Sequence, residues 1–393
     1  MIKKKKIGLI TPSLQSGGAE RVLSLTSRLL TEDGYEIFLF VFETKNISYK
    51  YQGKLVDFKS SAGKNLATKV IKRVTRILKL SYYKYKYDLD TVISFLSSAN
   101  IVNYYSIGRA NKILACRGYG DYILNGKKYS RMLRKIKSFI VQTERMKCDF
   151  TNDFNTDELK INIIYNPIDI GEINDKSNEN IEADIQKFIN EHKTICTVGT
   201  FKKDKGYWHL VKSFIKVKQS VKDAGLIFIG HRGEMENEIK EMARLSGYND
   251  DILFLNYQEN PFKYISKCDL YVCSSLYEGF PNALVEAMAC GIPVISTDCK
   301  TGPREILCAG SIEGNIIAPS LCEYGILVPN LGEEFNYDVS VIEKCEIDMA
   351  EGITRLLVDK EINKKYAEAS LLRANDFNYL NYMEKLKKLL NDK

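Results

Sequence analysis

Short apolar runs alternate with stretches of helical periodicity along almost the whole chain, and this alternation restricts the fold more than any other feature. Apolar runs fall at residues 7–10, 37–42, 91–95, 112–116, 138–142 and 161–165. Helical stripes lie between most of them, the first being Val22, Leu25, Leu29 and Leu30. After the turn Asn166-Pro167-Ile168-Asp169 and a polar stretch at 174–182, which reads as a linker, a second series begins. Its strands are expected at 194–198, 225–229, 252–255, 270–273, 294–296 and 325–328. Strands alternating with helices predict an α/β chain of parallel, doubly wound sheets. A length of 393 residues accommodates two or three domains of ordinary size.

Charge is divided unevenly between the two series. Residues 1–165 hold 30 Lys/Arg against 14 Asp/Glu, whereas the rest of the chain is acidic and the net charge is +7. Such asymmetry suggests that the first half meets an anionic surface. Nine basic residues and no acidic ones lie between Asp57 and Asp88. Lys69, Lys72, Arg73, Arg76 and Lys79 belong to this run, with Val70, Ile71, Val74, Ile77, Leu78 and Leu80 interleaved at helical spacing and four tyrosines following. A basic amphipathic helix beside aromatics suits an anionic bilayer, at about 1 kcal/mol per nearby basic side chain. A solvated helix face has the same pattern. A second basic run spans 127–137, and no nucleic-acid module is recognisable.

No apolar run approaches the roughly 18 residues of a spanning helix. Four lysines precede residues 7–10, but the apolar stretch is too short for a signal peptide and reads as a first strand. The ten cysteines are scattered, without a CxxC pair, and there are three histidines. Neither a zinc site nor a disulfide framework is expected, and a reducing cytosol fits. Asp88-Leu89-Asp90 matches a DxD metal motif formally but precedes a strand, where such ligands do not usually converge, so no metal site is expected.

Three glycine-bearing loops follow expected strands and open helices: one at Gly17-Gly18, one at 199–206 and one at 230–233. Glycines let a backbone approach a ligand closely, although a plain tight turn uses them too. Lys205 stands where it can neutralise a phosphate, and Arg117 lies just past an expected strand, at the carboxyl edge of its sheet. Beyond the strand at 270–273 comes Glu278-Gly279-Phe280-Pro281-Asn282-Ala283-Leu284-Val285-Glu286. Pro281 suits the first helical position and Gly291 the close of the helix. A helix N-terminus attracts anions, and ionised carboxylates accept hydrogen bonds from vicinal hydroxyls. A phosphate flanked by sugars, that is a nucleotide-sugar, satisfies both. Ordinary acidic residues at a helix entrance would have the same spacing.

The run 274–299, with Gly17-Gly18-Ala19-Glu20-Arg21, Tyr165-Asn166-Pro167-Ile168-Asp169, Val198-Gly199, Lys205-Gly206, Thr301-Gly302-Pro303-Arg304-Glu305 and Tyr324-Gly325-Ile326-Leu327-Val328-Pro329, resembles the retaining glycosyltransferases of family 4, the group 1 glycosyltransferases. Glu278 and Glu286 stand as that family's E-x7-E pattern. The resemblance implies the GT-B arrangement of two Rossmann-like domains facing across a cleft. Boundaries are then expected at 1–168 for an acceptor- and membrane-side domain and 169–370 for a nucleotide-sugar domain. Residues 371–393 would be a helix crossing back to the first.

The resemblance also implies site roles. Glu286 would bind ribose hydroxyls, Glu278 would contact the transferred sugar, and Lys205 would hold the diphosphate. Gly279, Phe280, Pro281, Asn282 and Leu284 would line the donor, with Tyr257 near the base and Gly17 and Gly18 near the β-phosphate. Two positions depart from the family. Thr200 replaces a common arginine, so neutralisation leans on Lys205, with Lys202, Lys203 or Arg232 as substitutes. Arg117 replaces a frequent histidine and is expected to donate to sugar or phosphate. The expected activity is metal-independent, retaining transfer from a nucleotide-sugar, in particular a UDP-sugar, with no other cofactor. The acceptor would be lipid-linked or polysaccharide, in bacterial surface-glycan assembly such as that of lipopolysaccharide. The protein would be cytoplasmic and peripheral on the plasma membrane. A weakly catalytic glycan- or lipid-binding scaffold and a nucleotide-sugar epimerase are the alternatives.

Overall fold

The computed structural model describes residues 4–15, 17–44, 47–309 and 314–391. The chain forms two compact units, one of Met1–Pro167 with Tyr379–Lys393, the other of Ile168–Asn378. Among the described residues the strands make two seven-stranded sheets.

The first sheet holds β1 (Lys6–Thr11), β2 (Glu36–Val41), β3 (Lys54–Asp57), β4 (Thr91–Phe95), β5 (Asn111–Ala115), β6 (Ser138–Val141) and β7 (Ile161–Ile163). All pair in parallel, in the order β3-β2-β1-β4-β5-β6-β7. Helices α1 (Gly18–Glu32), α2 (Leu66–Tyr87), α3 (Ser97–Tyr105), α4 (Tyr119–Leu133) and α5 (Glu144–Phe154) make the connections. Strand residues alternate between faces, so Ile7, Leu9, Ile93, Ile113 and Ile140 pack on one side while Ile10, Phe38, Phe40 and Val92 pack on the other. Both faces are covered, as a parallel sheet requires.

The second sheet holds β8 (Lys193–Val198), β9 (Ala224–Ile229), β10 (Ile252–Leu255), β11 (Leu270–Cys273), β12 (Val294–Thr297), β13 (Ser320–Leu321) and β14 (Ile326–Val328). Its order is β10-β9-β8-β11-β12-β14-β13, parallel except for the β13–β14 pair. Helices α6 (Ile170–Ser177), α7 (Ala183–Glu191), α8 (Tyr207–Ser220), α9 (Glu236–Leu245), α10 (Phe262–Ile265), α11 (Asn282–Ala289), α12 (Pro303–Leu307), α13 (Lys344–Val358) and α14 (Lys360–Asn375) belong to this unit. In each sheet the order reverses once in the middle, between β1 and β4 and between β8 and β11. Loops leaving these strands splay apart there and leave a crevice for a ligand.

Several elements differ from the sequence reading. Edge strands β3 and β13 were not expected; β3 has one fully buried residue and β13 is two residues long, too little pattern to register. Residues 174–177, expected to open a linker, instead end helix α6, whose start is capped by the Asp169 carboxylate accepting the Glu172 N–H at 3.0 Å. The second unit extends to Asn378, beyond residue 370, since α14 continues to Asn375 and lays Leu371 against Gly291. The last helix, α15 (Tyr379–Asn391), belongs to the first unit. There Tyr382, Met383, Leu386 and Leu390 enter the core beside α1, and the Tyr382 hydroxyl meets Thr26 Oγ1 at 2.7 Å. Each such side chain contributes about 1.5–3 kcal/mol on burial. Cys308 and Cys322 are joined as a disulfide, against the expectation of none. The turn back into β14 brings their Cα atoms to 4.8 Å, a separation no sequence spacing could reveal.

Helix α2 also corrects the proposed basic face. Lys72 Nζ donates to Ser61 Oγ, Arg76 donates to Ser60 and Ser61, and Lys79 Nζ donates to the Phe58 carbonyl. These three cations fasten the helix to the segment at 58–61 and do not form a free surface. Lys69 and Arg73 remain exposed, and so do Leu66, Val70, Ile71, Val74, Leu78, Tyr82 and Tyr85. The helix thus turns an apolar stripe outward and much of its charge inward.

Lys84, on the same helix, is 3% exposed, with Nζ donating to Asn103 Oδ1 at 3.2 Å. Burial, and secondarily the charge of Lys112, pushes its pKa from 10.5 down to about 7. The unfolded chain therefore binds a proton that the folded chain does not across that interval, and this group makes stability rise as pH increases from about 7 to 10.5. Replacing it by Lys84→Met should flatten that dependence, read as the difference in Tm between variant and parent at pH 7 and pH 9.5.

Candidate active site

The loops that leave β8 and β11 meet at the reversal point of the second sheet. The first runs from Gly199 through a short 3-10 turn, Lys203–Lys205, into α8. The second runs from Ser274 into α11. They are stitched together by Ser274 Oγ donating to the Lys205 carbonyl at 2.8 Å and by Leu276 N–H donating to the Asp204 carbonyl at 2.8 Å. Gly206 makes this possible. Its φ is +59°, and a Cβ there would stand 2.3 Å from the Ser274 carbonyl oxygen.

Stitching places Lys205 Nζ 2.6 Å from Glu278 Oε1. The same oxygen accepts the Ser275 hydroxyl at 2.8 Å. Oε1 is thus used twice, and no bond to Oε2 is found among the described residues. Lys205 likewise spends one of its three N–H donors on Glu278. Burial alone would lower the Lys205 pKa, but the adjacent Glu278 charge outweighs it and holds the ammonium above its ordinary range. The site therefore offers a permanently charged cation with donors to spare and a carboxylate oxygen able to accept. Asp204 adds a buried Oδ1 without a partner among the described residues, and burial raises its pKa.

The loop after β12 holds the Glu278 backbone. Thr301 Oγ1 donates to the Glu278 carbonyl, and Arg304 clamps Asp298 through Nε and Nη2, with Nε at 2.9 Å. Ser275, Thr301 and this clamp were missed as functional. Their only signal was nearness to Glu278 within the family-like run. Helix α11 begins at Asn282, one position later than expected, with Pro281 as its N-cap and no side chain capping it.

Other expected residues are distributed as follows. Glu286 lies in the second turn of α11 and is 6% exposed. Phe280 and Leu284 are 5% and 0% exposed, and the Phe280 ring packs edge-on against Phe377 at 5.3 Å. Their side chains are spent on the core, so only their backbone could meet a donor. Thr200 and Arg232 are exposed on neighbouring loops, joined by the Phe201 N–H to the Arg232 carbonyl at 2.8 Å. Tyr257, 60% exposed, meets His231 edge-on at 5.5 Å beyond β9 and β10. That histidine was not singled out.

In the first unit, Gly17 is the N-cap of α1 and Arg117 lies two residues past β5. The Glu20 carboxylate lies over Gly17, with Oε2 2.3 Å from where a Cβ would stand. Arg117 stacks over Phe95, 4.8 Å from ring centroid to guanidinium carbon. Asp90 Oδ2 accepts the Lys6 N–H at 2.7 Å, so one carboxylate of the DxD match secures the entrance to β1.

Two doubly wound α/β units with a charged pair at a strand-order reversal define a GT-B protein, and comparison with known proteins agrees. Residues 178–323 match the family described as glycosyl transferases group 1. An uncharacterized glycosyltransferase of Methanocaldococcus jannaschii is 31% identical over 344 residues, 82% of this chain and 83% of that protein. A Campylobacter jejuni protein named N-acetylgalactosamine-N,N'-diacetylbacillosaminyl-diphospho-undecaprenol 4-alpha-N-acetylgalactosaminyltransferase is 26% identical over 95% of this chain and 96% of its own. The solved structure of Anabaena HepE with UDP and glucose superposes with a TM-score of 0.74 at 16% identity, covering 98% of this chain and 99% of that one. This chain belongs to the group 1 glycosyltransferases, and it is a glycosyltransferase.

Because Gly206 permits the contact on which the pair depends, Gly206→Ala should destabilise the protein by about 1–3 kcal/mol. Urea denaturation measures this, and an unchanged midpoint would contradict the stated crowding.

Proposed function

We propose that the protein transfers a sugar from a UDP-linked donor to a lipid-linked or polysaccharide acceptor in surface-glycan assembly, with retention of anomeric configuration. The observation that carries this reading is the Lys205–Glu278 pair at the reversal of the second sheet, beside the uncapped start of α11. The relatives support the substrates: one is named for transfer onto a diphospho-undecaprenol glycan, and HepE was solved with UDP and glucose.

The chemistry follows from the charges. Breaking the anomeric C–O bond to phosphate builds positive character on the sugar and negative charge on the leaving diphosphate. Lys205 uses its remaining donors on the diphosphate, assisted by backbone N–H groups at the start of α11. Glu278 accepts a hydroxyl of the transferred sugar through Oε2, and Glu286 serves the ribose. The acceptor oxygen bonds to the anomeric carbon on the face the phosphate leaves, and its proton passes to that phosphate. The cation on the diphosphate is Lys205, so transfer proceeds without a metal.

Labelled UDP-sugars incubated with the protein and bacterial lipid extract test the reading. Expected is transfer to lipid that persists in EDTA. Lys205→Ala should lower turnover about 10²–10³-fold. Glu278→Ala should do so with UDP affinity changed only a few-fold. Isomerised donor in place of transfer would identify an epimerase, and no turnover with any donor sinks the proposal.

A second part of the proposal concerns the setting. No helix among the described residues is long and apolar enough to cross a membrane. The outward stripe of α2 nevertheless exposes Leu66 by 79%, Ile71 by 63% and Leu78 by 61%, flanked by Lys69 and Arg73. We assign this stripe to the surface of an anionic bilayer, where acceptor lipid would be met. Sedimentation with vesicles containing phosphatidylglycerol should fall on Ile71→Glu and on Lys69→Glu with Arg73→Glu. Undiminished sedimentation of both variants would refute the assignment.

A further inference from the structure

Strand alternation sets a row of side chains along the carboxyl edge of the first sheet, on the face covered by α1 and α15. Leu9, Ile93, Ala115, Ile140 and Ile164 all belong to that face. Two residues further along their chains stand Thr11, Phe95, Arg117, Gln142 and Asn166. Thr11 is 0% and Gln142 2% exposed. Four polar atoms of this row are buried and have no partner among the described residues: Thr11 Oγ1, Gln142 Oε1, and Arg117 Nε and Nη2. The Gln142 Nε2 is used by Asn166 Oδ1 at 2.7 Å. Nearly all buried polar groups in native proteins are paired, so this grouping demands an explanation.

Arg117 is the decisive member. Its guanidinium lies over the Phe95 ring and feels the Tyr382 hydroxyl, and among the described residues it forms no ion pair. Tyr382 is itself engaged with Thr26. Burial pushes the arginine pKa down to about 10, so the group stays charged at neutral pH. The residue as a whole is half-buried, but its Nε and Nη2 are buried, and leaving buried donors unpaired is costly. Both orphaned nitrogens lie on one edge of the guanidinium. That edge carries two parallel N–H donors, the fork that fits two oxygens of a carboxylate or phosphate. Gln142 Oε1 can only accept, and Thr11 Oγ1 can accept or donate; both suit hydroxyls. Leu96, directly after Phe95, has φ +74°, a strained setting for a bulky residue.

We propose that Arg117, Thr11 and Gln142 form a subsite for an anionic sugar, in which the Nε–Nη2 edge of Arg117 receives two oxygens of the sugar's acidic group and the other two residues bind its hydroxyls. The proposal rests on the glycosyltransferase reading above and deepens it: one of the sugars handled by this protein carries an oxyanion. The oxyanion is the carboxylate of a hexuronate or the phosphate of a sugar phosphate.

Thermal unfolding of the full chain tests this, with glucuronate, glucose 6-phosphate, glucose and UDP added separately. One of the two acidic sugars should raise the Tm saturably by a few degrees while glucose does not. Glucuronate alone identifies the carboxylate, and glucose 6-phosphate alone identifies the phosphate. Arg117→Met should abolish that rise, and without ligand it should be at least as stable as the parent, because an unpaired charge has gone. Arg117→Lys keeps the charge without the fork, and should weaken the rise while leaving the ligand-free Tm close to that of the parent. The inference is overturned if neither acidic sugar moves the Tm, if Arg117→Met keeps the rise, or if Arg117→Met alone lowers the ligand-free Tm, which marks a structural cation. UDP is the independent control. A UDP-induced rise without an acidic-sugar effect removes this inference alone, and loss of both removes the functional reading beneath it.

Discussion

The site depends on one ion pair, Lys205 with Glu278, made at 2.6 Å between loops that are 73 residues apart in the chain. Partly buried charges are tolerated when each is paired and further hydrogen-bonded, and removing one partner strands the other. Ser275 supplies the extra bond to Glu278, Ser274 and the Leu276 amide join the two loops, and Thr301 holds the Glu278 backbone. None of these contacts is local except that of Ser275. The contacts of Lys205 and its loop depend on β8 lying beside β11, and that of Thr301 on β12 lying beside β11, and so on the doubly wound order of the sheet. The pair is in turn left incomplete in a useful way, with lysine donors and a carboxylate oxygen open to a ligand that carries both phosphate and hydroxyls.

The two units share a plan and differ in electrostatics. Each sheet reverses its order in the middle and sends glycine-bearing loops from the carboxyl ends of its strands. In the second unit the central cation is neutralised by a carboxylate. In the first, Arg117 is stacked on Phe95 and among the described residues meets no carboxylate, and Thr11 Oγ1 and Gln142 Oε1 find no partner there either. A paired cation can exchange partners with a bound diphosphate at modest cost. A cation with one buried, unpaired N–H edge has donors left for an anion, which is why the departure at position 117 carries more information than the departure at Thr200. Thr200 merely lies exposed on its loop.

Helix α2 shows how far composition can mislead about direction. Apolar residues at helical spacing among lysines suggest an apolar face inward and a charged face outward. Lysine and arginine stems are long enough to reach backbone carbonyls, and here Arg76 and Lys79 do so at 58–61. With those positions used for anchoring, Leu66, Ile71 and Leu78 are left outside. The basic run was legible as amphipathic; which stripe faces the protein was decided by the segment that packs beneath it.

What the amino-acid sequence determined by itself is the α/β class, twelve of the strands and the run from Glu278 to Glu286 as the chemically distinctive stretch. These are short-range properties: periodicity, glycine placement and the residues opening a helix act within a few positions. Tertiary structure alone decided that Lys205 touches Glu278, that Phe280 and Leu284 face the core, and that Cys308 meets Cys322. It alone aligned Thr11, Arg117 and Gln142 on one face. Such groupings join residues from distant strands, and the order in which strands pair is not written in any local pattern. It emerges only when the sheets assemble and burial chooses a face for every side chain.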